Sequence, residues 1–214
     1  MKVVTQNQAF EVINRCGNGT LIDWQQIDGE KLQANVISLP PEEIGRRMTA
    51  FIKNGMNFIF GGLKFATAPF DPIKFLGKGW SIVQKDQDKV SVALTEVDLG
   101  SANFTSSLKE GETPIKGEEK LARLKASGAI RYGATVFMGL WQDYQARKTE
   151  SVLEKLYQQN GTTFIAFLGD VILSPDGDRS VLYVYRDDDG EWHWDYDWLG
   201  NDWDGGNLAA CSQV

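Results

Sequence analysis

The chain lacks the residues that build metal centres and cross-links. Its 214 residues include a single histidine, His193, and two cysteines, Cys16 and Cys211. The usual zinc spacings cannot be assembled from that set. The two cysteines stand near opposite ends, so the disulfide framework of a small secreted domain is not indicated. Long apolar runs are missing as well: stretches such as residues 58–63 fall far short of the roughly 20 residues of a membrane span. The first residues turn polar at Gln6, Asn7 and Gln8, without the apolar stretch of a signal peptide. Positive charge is also in deficit. A net charge of −7 argues against nucleic acid as a partner. The expectation is a protein that inserts into no membrane and is cytoplasmic or virion-associated.

What is present is concentrated at one end. Between Asp176 and Asn207 nine Asp and one Glu face two arginines, Arg179 and Arg186, so the remainder of the chain sums to about +1. The same window holds four of the seven tryptophans. Acidity and indoles share one short stretch.

Earlier segments read as ordinary mixed structure. Residues 10–13 form a strand or a short helix. Pro40 and Pro41, followed by Glu42 and Glu43, open a helix with acids at its positive end, and Asn54-Gly55 closes it. Glycines and prolines from Gly61 to Pro72 mark turns, which places a boundary near residue 75. The apolar runs 80–83 and 90–94, separated by a polar segment, predict a hairpin. Helices are expected from Gly117 to Ser127, from Ala134 to Gln145 and from Glu150 to Gln159. Their inward residues are Val136, Phe137, Leu140 and Trp141 in the second and Val152, Leu153 and Leu156 in the third. Strands follow over 162–168 and 181–185, joined through Ser174-Pro175-Asp176-Gly177. Hairpin, helices and a strand-rich end predict an α+β class with antiparallel pairing.

In the C-terminal window Trp192, Trp194 and Trp198 have the same parity, so an extended strand puts them on one face and His193, Asp195 and Asp197 on the other. The plain reading is a half-buried strand with a tryptophan core and a solvated acidic face. The residues between the tryptophans are Asp, Tyr, His, Asn and Gly, types that dominate adaptable binding surfaces. Between Asp170 and Ala210 there is no Lys, Gln or Met. An AAC codon randomised at both adenines cannot encode Trp, Lys, Glu, Gln or Met. Within the window those types occur only at Glu191, Trp192, Trp194, Trp198 and Trp203.

The run Val181-Leu182-Tyr183-Val184-Tyr185, then Trp192-x-Trp194-x-x-x-Trp198-Leu199-Gly200-x-Asp202-Trp203 and Ala209-Ala210, resembles the variable proteins of diversity-generating retroelements. In that family a reverse transcriptase rewrites adenine-bearing codons near the 3′ end of the gene. The resemblance implies a C-type-lectin-like fold, shared with formylglycine-generating enzymes, with short antiparallel sheets and two or three helices. It spans residues 76–214, with a variable region over about 170–210, and leaves 1–75 as an N-terminal extension. Trp192, Trp194, Trp198, Leu199, Gly200, Asp202 and Trp203 become the scaffold. Asp176, Asp178, Ser180, Tyr183, Asp187, His193, Asp195, Tyr196, Asp197, Asn201, Asp204, Gly205, Gly206 and Asn207 become the diversified, ligand-binding positions. The implied partner is a macromolecular or cell-surface ligand, protein or glycan. The family's proline near position 208 is Leu208 here.

Competing chemistries are weaker. A glycosidase needs two carboxylates at set separation with one held protonated, and a solvated aspartate run gives no cause for that. A Cys211–His193 nucleophilic pair has only the two residue types in its favour. Calcium wants six to eight oxygens, which Asn201-Asp202-Trp203-Asp204 and Asp187-Asp188-Asp189-Gly190-Glu191 could supply, although neither matches an EF-hand loop. The expectation is therefore a non-enzymatic binding protein without cofactor, with a Ca²⁺-dependent carbohydrate-binding module as the alternative and a carboxylate hydrolase behind it.

Overall fold

A computed structural model describes residues 62–213. The expected strand or helix at 10–13, the helix opened by Pro40 and Pro41, and Cys16 lie outside the described residues.

The described chain runs β1 (Lys64–Ala66), α1 (Pro72–Leu76), β2 (Ser81–Ile82), α2 (Lys89–Ala93), β3 (Glu96–Asp98), β4 (Ala102–Thr105), β5 (Ile115–Lys116) and α3 (Gly117–Ser127). It continues with α4 (Ala134–Arg147), α5 (Val152–Asn160), β6 (Phe164–Ala166), β7 (Ile172–Leu173), β8 (Arg179–Arg186), β9 (Trp192–Trp198), β10 (Asp202–Trp203) and β11 (Ala209–Ser212). The class is α+β, as the alternation of patterns predicts. Three of the five α-helices have nine residues or more, and α1 and α2 are single five-residue turns beyond the two or three expected.

Local chemistry sets the boundaries. Ser151 caps α5 by accepting from the Glu154 N–H at 3.2 Å, and Gly161 ends the helix at φ 73°. Gly128 ends α3 in the same left-handed conformation, at φ 77°. The predicted hairpin of 80–83 with 90–94 does not form. Asp88 accepts from the N–H groups of Val90 and Ser91 and starts α2 there, so a cap outweighs the β-branched residues that suggested a strand. Ser81 and Ile82 pair instead with Leu173 and Ile172, about ninety residues downstream.

The principal sheet has seven strands in the order β2-β7-β8-β6-β11-β4, with β9 paired to the other edge of β8. The β8–β9 hairpin is antiparallel through seven pairs, from Ser180–Trp198 to Arg186–Trp192. Pairing is antiparallel except where β11 meets β6 at Ala209 and Ala166, a parallel contact the sequence pattern did not suggest. Small sheets, β1 with β3 and β10 with β5, complete the ladder pattern.

Alternation along β8 gives the sheet an apolar layer on each face. Leu182 and Val184 join Val136, Phe137, Leu140, Leu153 and Leu156 of α4 and α5, together with Trp192. Val181 faces the opposite way, toward Leu121 and Leu124 of α3, Leu199, Trp203 and Cys211. Each such side chain contributes about 1.5–3 kcal/mol by leaving water. Leu63, Phe65 and Ala68 belong to the first of these cores, in a unit that begins at Gly62. Helix α4 approaches β1 so closely that a Cβ on Gly139 would stand 2.2 Å from the Ala66 carbonyl oxygen. No helix among the described residues is long and apolar enough to cross a membrane.

Candidate functional site

The β8–β9 hairpin turns through Asp187-Asp188-Asp189-Gly190, with Gly190 at φ 87° and the Asp187 N–H donating to the Glu191 carbonyl at 2.9 Å. This is the short loop that carries a left-handed glycine where the strands rejoin. From it β9 runs outward as an edge strand, and its exposure changes along its length.

Trp192 is buried, 2% exposed, and its indole N–H donates to Glu154 at 3.3 Å while Arg186 grips the same carboxylate. The Tyr144 hydroxyl accepts from the Trp192 backbone N–H at 3.0 Å and donates to Glu191 at 2.5 Å. Trp194 is partly buried against Phe75 and Phe137. Tyr196 and Trp198 lie on the same face but beyond the core, 43% and 50% exposed. The expected all-tryptophan core is thus corrected at its far end: parity places Trp198 on the right face, but α4 and α5 do not reach over it.

After β9 the chain turns at Leu199 and Gly200. A Cβ on Gly200 would lie 2.7 Å from the Trp198 ring, so glycine is what lets that indole fold back over the turn. Leu199 and Trp203 are buried at 0% and 1% exposure. They press on Gly117, where an added Cβ would meet the Trp203 indole nitrogen at 2.8 Å. The free N–H groups at the start of α3 are used here, Gly117 donating to the Asn201 carbonyl and Glu118 to that of Leu199. Asp202 is exposed and pairs with Lys116 at 2.8 Å.

The terminal turn rests on a buried cation. The Lys120 ammonium donates to the carbonyls of Asn207, Ser106 and Thr105 at 2.5, 3.0 and 3.3 Å. Burial pulls its pKa down to about 8 against the opposing charge of Asp204. Asp204 accepts from the Gly206 N–H, and the Asn207 side chain accepts from the Asp204 N–H. The Leu208 N–H donates to the Gly206 carbonyl at 3.0 Å, a bond that proline could not make.

The fourteen expected ligand-binding residues fall into three places. Asp176, Asp178, Ser180, Tyr196, Asp197 and Asn201 line one open cleft of about 500 Å³, beside Trp198 of the expected scaffold. Outside the cleft stand Tyr183 and Asp195, directly opposite each other in register on the face that Asp197 shares by parity, and the pair His193–Asp187 at 2.7 Å. The Tyr183 ring stacks on Phe164, and burial, with Asp195 and Asp197 adding to it, pushes its hydroxyl up to about 12. The N–H of Glu191 holds Asp187 below its ordinary carboxylate value, with His193 assisting. Asp204, Gly205, Gly206 and Asn207 form the separate terminal turn.

Three cleft residues escaped the sequence reading: Trp80, Ser174 and Pro175. The β2–β7 pairing brings Trp80 alongside the β7–β8 turn, and its ring meets Tyr196 edge-on at 4.8 Å. Gly79, at φ 95°, packs under Pro175, which would touch a Cβ there at 3.0 Å. Nothing local at Trp80 signals this, since it depends on a register set by distant residues. Among the described residues no three His, Cys, Asp or Glu side chains converge as a metal group. The stretch 187–191 is occupied as a hairpin turn, and Asn201 donates its amide to Asp197 at 2.7 Å. Cys211 and His193 stand apart: Cys211 is buried and its thiol faces the Asn103 carbonyl, while His193 is exposed on Asp187.

No protein-family model, curated protein or solved structure matches the chain.

Proposed function

We propose that this is a non-enzymatic ligand-binding protein whose C-terminal surface is diversified by a retroelement on a fixed tryptophan frame, with a C-type-lectin-like arrangement. One observation carries the reading, the division of labour along residues 176–207. Trp192, Leu199 and Trp203, residue types an adenine-rewritten AAC codon either cannot produce or would not be free to change, are almost wholly buried. Asp176, Asp178, His193, Asp195, Tyr196, Asn201 and Asp204, interleaved with them, are exposed, although Trp198 and Asp202 of the frame are exposed as well and Ser180 of the variable set is buried. Exposed positions accept most substitutions within about 0.5 kcal/mol, so such a surface can vary while the fold is kept. The ligand is a protein or glycan presented from outside the chain.

Sequencing the locus tests this. The expected result is a reverse transcriptase gene beside a near-copy of the 3′ end of the coding region, with mismatches confined to adenines of the copy. Absence of the copy, or mismatches at the codons of Trp192, Trp194, Trp198 or Trp203, would falsify the proposal.

A further inference from the structure

The cleft is chemically one-sided. Its lining includes Asp176, Asp178 and Asp197 but no Lys, Arg or His. The nearest arginine in sequence, Arg179, is already committed to Glu118 and Asp86, at 2.6 Å each. Aromatic surface faces the same space, from the half-exposed Trp198 and from Tyr196 braced by Trp80. At the base lies Ser180, which is 2% exposed yet lines the cleft. Its hydroxyl can donate to or accept from whatever occupies the cleft.

Carboxylates, indole faces and a hydroxyl suit a planar cation. The geometry points to this cleft as the seat of an arginine side chain presented by a protein ligand. A guanidinium stacks on Trp198 while donating in plane to Asp176 or Asp178 at the rim and to Ser180 at the base. A lysine ammonium, compact and strongly hydrated, satisfies the carboxylates but makes less of the aromatic walls. A neutral sugar ring can stack on the indole but leaves the negative charge of the lining uncompensated. This assignment rests on reading the surface as a binding face and not on how its codons arose.

The test uses the full chain and a blocked tri-arginine peptide, with its tri-citrulline counterpart as the neutral, equally planar control. Indole N–H resonances and tryptophan fluorescence are followed at low and moderate salt. Tri-arginine should shift the Trp80 and Trp198 signals, bind more weakly as salt rises, and outbind tri-citrulline at least tenfold. Replacing Asp176 and Asp178 together by Asn should weaken it by roughly twentyfold, about fivefold per carboxylate at an exposed site. Trp198→Ala should cost about fivefold. Glu110→Gln removes the same unit charge from an exposed position outside the cleft lining and should change affinity less than about twofold. Equal binding of the citrulline peptide, equal loss in Glu110→Gln, or shifts produced by methyl pyranosides and not by tri-arginine would overturn the assignment. If tri-arginine fails while the locus carries an adenine-mismatched copy, the ligand class falls and the diversified surface stands. If the peptide binds and no copy exists, the reverse holds.

Discussion

Lys120 is the residue on which the terminal turn depends, because a charged side chain is buried there to serve three carbonyl oxygens. Replacing it with Met keeps the apolar stem and orphans those acceptors, which should cost about 2–4 kcal/mol in chemical denaturation. The wild-type lysine has its pKa lowered from 10.5 to about 8. Between these values the native state binds fewer protons than the unfolded chain, so the lysine's contribution to stability rises with pH across that window. The stability difference between wild type and Lys120→Met should therefore widen from pH 8 to pH 10.5 and stay flat below pH 7. A difference that narrows over the same range would show that the three carbonyls stabilise the ammonium more than burial opposes it.

Among the elements, those with long amphipathic periods and their own caps were legible in the sequence. Helices α3, α4 and α5 begin and end within a few residues of the expected positions, because Ser151, Gly128 and Gly161 stop or start them by local bonding. Helix α2 was not legible: Val90 and Val92 favour a strand, and only the Asp88 bonds decide otherwise. Parity along β9 was legible and gave the faces of Trp192 and Trp198 correctly, but burial was not, since it depends on which helix lies overhead. The contribution of Trp80 to the cleft follows from the β2–β7 register, to which no nearby residue testifies. The same long-range packing supplies a test. Gly139→Ala drives a methyl toward the Ala66 carbonyl, so α4 and β1 must separate. The expected loss is about 1–3 kcal/mol, with amide shifts concentrated in 64–66 and 96–98; unchanged stability would mean that β1 yields freely.

For the whole molecule, the division between frame and surface predicts two opposite responses. Exchanging Asp176, Asp178, Asp195, Asp197 and Asp204 together for Asn should leave the circular dichroism spectrum unchanged, with each site moving stability by no more than about 0.5 kcal/mol. Trp192→Ala alone should cost about 3–5 kcal/mol, because it empties a site enclosed by α4, α5 and β8. If the aspartate variant unfolds as readily as the tryptophan one, the carboxylates are structural and the surface is not free to vary.

The seven-pair register of β8 with β9 has a consequence for how such a chain can change over time. One extra residue between Trp192 and Trp198 would turn every later side chain to the opposite face of the sheet. The indole now over Gly200 would then swing toward Tyr183, and Asp197 toward the helices. Insertions or deletions of an odd number of residues within 192–198 therefore break the frame. Under the proposed diversification, descendants of this gene should differ at residues 193 and 195–197 while keeping Trp192, Trp194 and Trp198 and the spacing between them.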